Sequence, residues 1–230
     1  MPVFATQDGP VGLLTLHRPE KAHAYDRDHL DALLQAAHSL ADCTCVVVQS
    51  TGDRAFCGGA DLDAMSEASP LDALDLYSQR VFTALARLAA VTIAAIQGPA
   101  VAGGFELALA CDLRVAGPRA TFSLPETRLG ILPSAGGTTR LARLVGVSRA
   151  KAIILGGETL DAPTALAWGV VHRLAAEPHS AALDWARTIA GRDPAALALA
   201  KETLDASESA ASLARERTVE AILYSRKSQP

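Results

Sequence analysis

Residues 98–116 read GPAVAGGFELALACDLRVA, and within them Glu106 follows two glycines and precedes Leu107, Ala108, Leu109 and Ala110. An ionised carboxylate enters so apolar a setting only with hydrogen-bond partners or a shifted pKa, because an isolated buried charge is costly. The same stretch fixes the local chain path. Upstream, residues 92–96 form a buried strand that Gln97, Gly98 and Pro99 bring to an end. Gly103 and Gly104 then open a helix carrying Glu106, and residues 113–115 make the next strand.

Working outward, the same alternation recurs on both sides. Residues 11–16 read as a strand bounded by Gly9-Pro10 and Arg18-Pro19, and residues 45–48 as a second, short one. Between them Leu30, Leu33, Leu34 and Ala37 fall at helical spacing over 26–40. A further apolar stripe, Leu74, Tyr77, Val81, Leu85 and Leu88, predicts a helix up to Ala89. Residues 117–137 form a long irregular piece rich in Gly and Pro, and residues 170–172 read as one more strand. From Thr138 the pattern is mostly helical, over 141–145, 150–155, 163–168 and two long segments starting at Ser180 and Pro194. Strand and helix units followed by helices predict an α/β fold with parallel strands and a carboxyl-terminal helical part.

Composition narrows the function. The 230 residues carry 21 Lys and Arg against 25 Asp and Glu, a formal charge of −4, and no basic run suggests a nucleic-acid face. Small-molecule chemistry is the expectation. Cys43, Cys45, Cys57 and Cys111 show no CxxC spacing, which fits a reducing compartment and thiols packed as small hydrophobes. The start, MPVFATQDGP, lacks both a basic and an apolar region, so no signal peptide is expected. The apolar run 88–104 is broken at Gln97, Gly98 and Pro99, so a membrane span is not expected either, and the cytoplasm is the predicted location.

Three glycine pairs lie close to polar residues: Gly58-Gly59 before Asp61, Gly103-Gly104 before Glu106, and Gly136-Gly137 before Thr138. Glycine permits close approach of a ligand to the backbone, and the free N–H groups of a first helical turn can hold a developing oxyanion. None of the pairs has the spacing of a dinucleotide or P-loop motif, and each alone also suits a tight turn. Glu106 sits near a helix start, where the macrodipole favours an anion; its two readings are a solvated first-turn charge and a general acid or base. Glu126, in SLPETRLG, reads either as a plain loop carboxylate near Arg128 or as the partner of Glu106 across a pocket. GxSxG and HExxH are absent, and His17, His23 and His29 lack a ligand spacing, so no metal is expected. His23 reads as a polar loop residue or pocket rim, and Cys57 as a buried thiol rather than a nucleophile.

Taken together and in order, residues 16–26 (LHRPEKAHAYD), 54–62 (RAFCGGADL), 98–116 and 122–141 (FSLPETRLGILPSAGGTTRL) resemble the enoyl-CoA hydratase/isomerase, or crotonase, family. The resemblance spans roughly residues 11–201. It implies an α/β spiral of repeated β-β-α units over 1–193, followed by a carboxyl-terminal helical trimerisation region over 194–230 that is shorter than usual. It further implies a homotrimer or dimer of trimers, no cofactor beyond the coenzyme A of the substrate, and an acyl-CoA thioester bound with its carbonyl between two backbone N–H groups. By motif those donors are Ala60 and Gly103. Glu106 matches the residue that activates water for attack on the β-carbon, and Glu126 the one that delivers or removes the α-proton. Lys21, Ala22, Ala24, Ala60, Asp61, Leu62 and Asp63 match the groove that holds coenzyme A.

Retention of both glutamates ranks a hydratase above an isomerase or another acyl-CoA lyase, and above a non-catalytic acyl-CoA binder. The departures from the family pattern are His17 and His23 where asparagines are common, with Tyr25 following, Gln97 for an asparagine, and Thr92 for a proline. The shorter carboxyl-terminal part is expected either to leave a more open site or to mark a member specialised for a large or protein-tethered acyl chain.

Overall fold

The computed structural model describes residues 2–66 and 75–205, together with Thr218 and Ala221. Its main layer is a six-stranded sheet in the order β1 (Val3–Asp8), β2 (Val11–Leu16), β3 (Cys45–Ser50), β4 (Val91–Ile96), β6 (Leu113–Ala116) and β9 (Arg173–Leu174). All neighbours are parallel except β1 and β2, a hairpin that turns at Gly9, whose φ of +56° suits glycine. A smaller sheet holds β5 (Ala100–Val101), β7 (Thr121–Ser123) and β8 (Leu160–Asp161).

The central strands are rich in apolar residues because both of their faces are covered. In β3, Val46 and Val48 enter the larger core with Leu33, Phe82 and Leu107, while Cys45 and Val47 face the helix Pro178–Ala190 through Ala182, Ala186 and Ile189. β4 divides in the same way, with Ala94 and Ile96 on one side and Ile93 and Ala95 on the other. A one-residue slip would exchange the two sets, so the alternation pins the register.

The two sheets are joined as a spiral. Each turn leaves a main-sheet strand, passes through the second layer and enters a helix. The turns run from β2 through Tyr25 to α1 (Arg27–Ser39), from β3 through Cys57 to α2 (Leu62–Ser66), and from β4 through β5 to α4 (Gly103–Ala110). A fourth goes from β6 through β7 to the 3-10 turn Glu126–Leu129. Parallel bridges Tyr25–Ala60 and Cys57–Ala100 and the β5–β7 ladder stack these turns. α3 (Tyr77–Ala86) packs against α1 and α4, and α5 (Gly137–Val145), α6 (Val147–Ile154) and α7 (Ala162–Ala167) follow. After α8 (Pro178–Ala190) comes α9 (Pro194–Asp205), which Lys201 ties to the sheet through Asp112 at 2.8 Å and the Ala90 carbonyl at 3.0 Å.

The strand expected over 170–172 begins at Arg173 instead. Gly169, at φ +77°, turns the chain out of α7, and the Val171 N–H donates to the Ala165 carbonyl, so pairing with β6 starts only when His172 N–H reaches the Arg114 carbonyl. The irregular piece contains the short β7 and the 3-10 turn, and Leu74 of the predicted stripe lies outside the described residues. Two departures from the family pattern form local networks. Thr92 and Asp112 exchange hydrogen bonds at 2.7–3.0 Å, and Gln97 Nε2 donates to Ser50 Oγ and the Ala55 carbonyl, both at 2.7 Å. Among the described residues no helix is long and apolar enough to cross a membrane.

Candidate active site

Because the turns stack, the points at which successive turns leave the second layer converge. Tyr25, Ala60, Gly103 and Glu126 occupy these points, and with Glu106 they line one cleft of about 380 Å³. Apolar wall comes from Leu30, Leu62, Leu129 and Ile131. A separate recess of about 560 Å³ lies between the α9 end of the main sheet and α5, lined by Asp112, Arg143 and Lys201 among others, and contains none of the expected site residues.

The three glycine pairs of the sequence meet here, each for a steric reason. A β-carbon on Gly59, whose φ is +93°, would stand 3.0 Å from the Val101 carbonyl oxygen and 3.1 Å from the Gly103 nitrogen. Glycine therefore lets the segment bearing Ala60 approach the start of α4. At Gly104 a β-carbon would overlap the Cys57 carbonyl, and at Gly137 it would stand 2.8 Å from Glu106 Oε1.

Ala60 and Gly103, which bear the two expected amides, both line the cleft at this junction. Tyr25 N–H donates to the Gly59 carbonyl and Asp61 N–H to the Tyr25 carbonyl, both at 2.8 Å, so the Ala60 amide between them is directed to the other side of its segment. Gly103 is the first residue of α4, where the N–H has no partner within the helix. The residue before it, Ala102, holds φ +53°, a conformation unfavourable for a side chain and characteristic of constrained functional sites. Its N–H donates to the Ser123 carbonyl at 2.9 Å.

Glu106 is buried, and its Oε1 accepts the amides of Ala135 and Gly137, each at 2.8 Å. These two charge-assisted bonds fix the orientation of a carboxylate that also forms part of the cleft wall. Glu126, also buried, begins the 3-10 turn and reaches the cleft from β7, while Arg128 extends to the Gly157 carbonyl at 3.4 Å. The ring of Tyr25 stacks edge-on against Phe82, and its phenol neighbours Ser78. Burial, and then the Glu106 charge, raise its pKa well above the ordinary tyrosine value, so the hydroxyl keeps its proton.

Of the residues matched to coenzyme A binding, Ala60, Asp61 and Leu62 line the cleft, whereas Lys21, Ala22, Ala24 and Asp63 are not among its walls. They brace its Asp61 end. Lys21 Nζ bonds Asp63 at 2.8 Å and Asp61 at 3.2 Å, Arg18 pairs with Asp61 at 3.0 Å, and the Ala22 carbonyl accepts Gly58 N–H at 2.9 Å. The Ala24 carbonyl accepts Arg18 Nη1 at 3.0 Å. Hydrogen bonding to Asp63 and Asp61 raises the Lys21 pKa, and the Lys21 bond lowers that of Asp61.

His23 is buried rather than at a pocket rim: its Nδ1 accepts Arg18 N–H at 3.1 Å and its Nε2 lies 3.0 Å from the Thr51 carbonyl, which fixes the neutral tautomer with the proton on Nε2. Cys57 donates to the His23 carbonyl at 3.1 Å, and burial pushes its thiol up to about 12, as a structural thiol requires. Sequence reasoning noted Tyr25 only as a departure and missed Ser78 and the amides of Ala135 and Gly137; the Gly136-Gly137 pair was the one available sign of the last.

The enoyl-CoA hydratase/isomerase family model matches residues 6–229. A probable mitochondrial enoyl-CoA hydratase 2 of Arabidopsis thaliana is 38% identical over 205 residues, covering 86% of this chain and 68% of that protein. The short-chain-enoyl-CoA hydratase of Clostridium acetobutylicum is 32% identical, covering 88% and 80%. The chain belongs to the enoyl-CoA hydratase/isomerase family. Among solved structures of similar fold, an enoyl-CoA hydratase from Mycobacterium avium subsp. paratuberculosis superposes with a TM-score of 0.88 at 28% identity, covering 100% of this chain and 95% of that one. DspI of Pseudomonas aeruginosa gives 0.86 at 35% identity, covering 96% and 95%. All four turns that build the cleft thus lie inside the region shared with the enoyl-CoA hydratase/isomerase family.

Proposed function

We propose that this protein is an enoyl-CoA hydratase, adding water across the 2,3 double bond of a 2-enoyl-CoA to give the 3-hydroxyacyl-CoA. The observation that carries the reading is that Glu106 and Glu126 line the same cleft as the backbone of Ala60 and Gly103. In this scheme the two amides bind the thioester oxygen, where charge accumulates as water attacks the β-carbon. Glu106, ionised, takes a proton from the water, whose oxygen bonds to C3. The π-electrons of the double bond move toward the thioester, and Glu126 delivers a proton to C2. Proton exchange with solvent then returns both carboxyl groups to their starting states.

The proposal includes coenzyme A held along Lys21, Ala22, Ala24, Ala60, Asp61, Leu62 and Asp63, with no further cofactor. It also includes a cytoplasmic location and assembly as a homotrimer or dimer of trimers through the region after residue 193. The test is incubation of the purified chain with crotonyl-CoA and longer 2-enoyl-CoAs, following loss of enoyl absorbance and identifying the product. Formation of 3-hydroxyacyl-CoA is expected; absence of turnover at every chain length overturns the assignment. A 3-enoyl-CoA conjugated without hydroxyacyl product would instead make the protein an isomerase.

A further inference from the structure

We propose that Tyr25 is a third donor to the thioester oxygen, acting beside the amides of Ala60 and Gly103; this rests on the hydratase reading of the cleft. The argument begins with geometry. Tyr25 is joined to both proposed amide donors at once: its backbone brackets Ala60 through the 2.8 Å bonds with Gly59 and Asp61, and its hydroxyl lies in the space that a β-carbon on Gly103 would fill. The side chain that a larger residue would place beside the Gly103 amide is thus supplied by another turn of the spiral, and it ends in a hydroxyl rather than a methyl group.

The ring has little freedom to swing away. It packs edge-to-face on Phe82, with ring centres 5.6 Å apart and planes at 86°, and it forms part of the cleft wall with Ser78, Gly103, Glu106 and Glu126. Ser78 neighbours the phenol and lines the same cleft wall. A protonated phenol carries one O–H that it can donate. Burial and the two neighbouring carboxylates keep this proton in place. A neutral donor at the wall of the cleft, against one half of the oxyanion pair, is suited to a thioester oxygen that gains charge during reaction. Phenylalanine or leucine would fill the same space without donating.

The test uses two ligands that differ in charge at that oxygen: acetoacetyl-CoA, whose enolate is negative there, and butyryl-CoA, which is neutral. Binding of each to the full chain and to Tyr25→Phe is measured by calorimetry, with crotonyl-CoA hydration in parallel. Tyr25→Phe is expected to weaken acetoacetyl-CoA about tenfold or more while changing butyryl-CoA less than about threefold, as loss of a hydrogen bond to a charged acceptor requires. The kcat for hydration should fall about ten- to hundredfold with KM nearly constant. Unchanged acetoacetyl-CoA affinity, or equal loss of both ligands, overturns the proposal, the second outcome meaning that the ring only packs. Should Tyr25→Phe fail to fold, Tyr25→Leu, which also fills the space without donating, decides in the same way by its effect on the ratio of the two affinities. A wild-type chain that hydrates no enoyl-CoA, yet shows the selective loss, refutes the hydratase reading and leaves the donor role standing.

Discussion

Gly137 lies directly against Glu106: its amide donates to Oε1 at 2.8 Å, and a β-carbon added to it would stand 2.8 Å from that same oxygen. Pro133 closes the other side at 2.8 Å, so the added carbon has no room to move away from the carboxylate. Gly137→Ala is therefore expected to turn Glu106 off its two amides and lower hydration of crotonyl-CoA by about tenfold or more. Glu106→Gln preserves an acceptor for both amides but cannot take a proton from water, and should lose about 10²–10⁴-fold. Butyryl-CoA binding should survive both changes. Full activity in Glu106→Gln would remove Glu106 from the role of base, and full activity in Gly137→Ala would mean that the carboxylate keeps its place despite the added carbon.

Gly104 and Gly58, one from each of two pairs, make a sharper steric contrast. At Gly104 the added carbon would overlap the Cys57 carbonyl, a backbone atom that already accepts Val101 N–H at 3.0 Å and joins two turns of the spiral. At Gly58 the nearest atom to such a carbon is 3.5 Å away, an ordinary contact, and the backbone is not left-handed. Gly104→Ala should cost about 3 kcal/mol or more, and Gly58→Ala no more than about 1 kcal/mol. Urea denaturation of the two variants measures both. Equal stability would mean that β5 and the segment bearing Cys57 can separate without loss.

These contacts also explain how far the sequence could be read. The strands β2, β3, β4 and β6 were legible because their buried residues are mostly apolar, and Glu106 because a carboxylate interrupts an apolar helix. β1 was not, since only Val3 of its six residues is buried and an exposed edge strand carries no core pattern. β7 and β8, at three and two residues, are too short for any period to register. Each glycine pair was visible, but its obstacle was not: the atoms facing Gly59, Gly104 and Gly137 belong to other turns of the chain. Tyr25 stood out only as an unusual residue, because its relation to Gly103 arises where two turns stack.

Arg114 offers a test of how α4 is anchored behind the site. Its buried guanidinium donates to the Val170 carbonyl at 2.6 Å, Cys111 at 2.7 Å and Ala108 at 3.2 Å, tying the last turn of the helix to the chain beyond α7. Burial lowers its pKa to about 10, so it stays charged near neutral pH. Arg114→Lys cannot match this planar set of donors and leaves carbonyls unsatisfied; a loss of about 2–3 kcal/mol is expected. The reacting end of α4 lies at the opposite terminus, so kcat measured well below the melting temperature should change little. A large fall in kcat with stability intact would show that the two ends of the helix are coupled.

His23 makes stability depend on pH. Burial holds its imidazole below the ordinary value of 6.5, outweighing the Thr51 carbonyl, which favours the charged form. The unfolded chain therefore takes up a proton at this residue more readily than the folded protein does. Its contribution is fully present above about pH 6.5 and is lost as the pH falls from there toward the folded value, where protonation would also remove the Nδ1 acceptor for Arg18 N–H. His23→Asn does not titrate in this range. The wild-type advantage over His23→Asn, measured by urea denaturation in steps from pH 7.5 to 5 (roughly the range in which histidine titrates), should be greatest at the upper end and shrink on acidification. A constant difference across that range would mean that the folded protein protonates His23 as readily as the unfolded chain does.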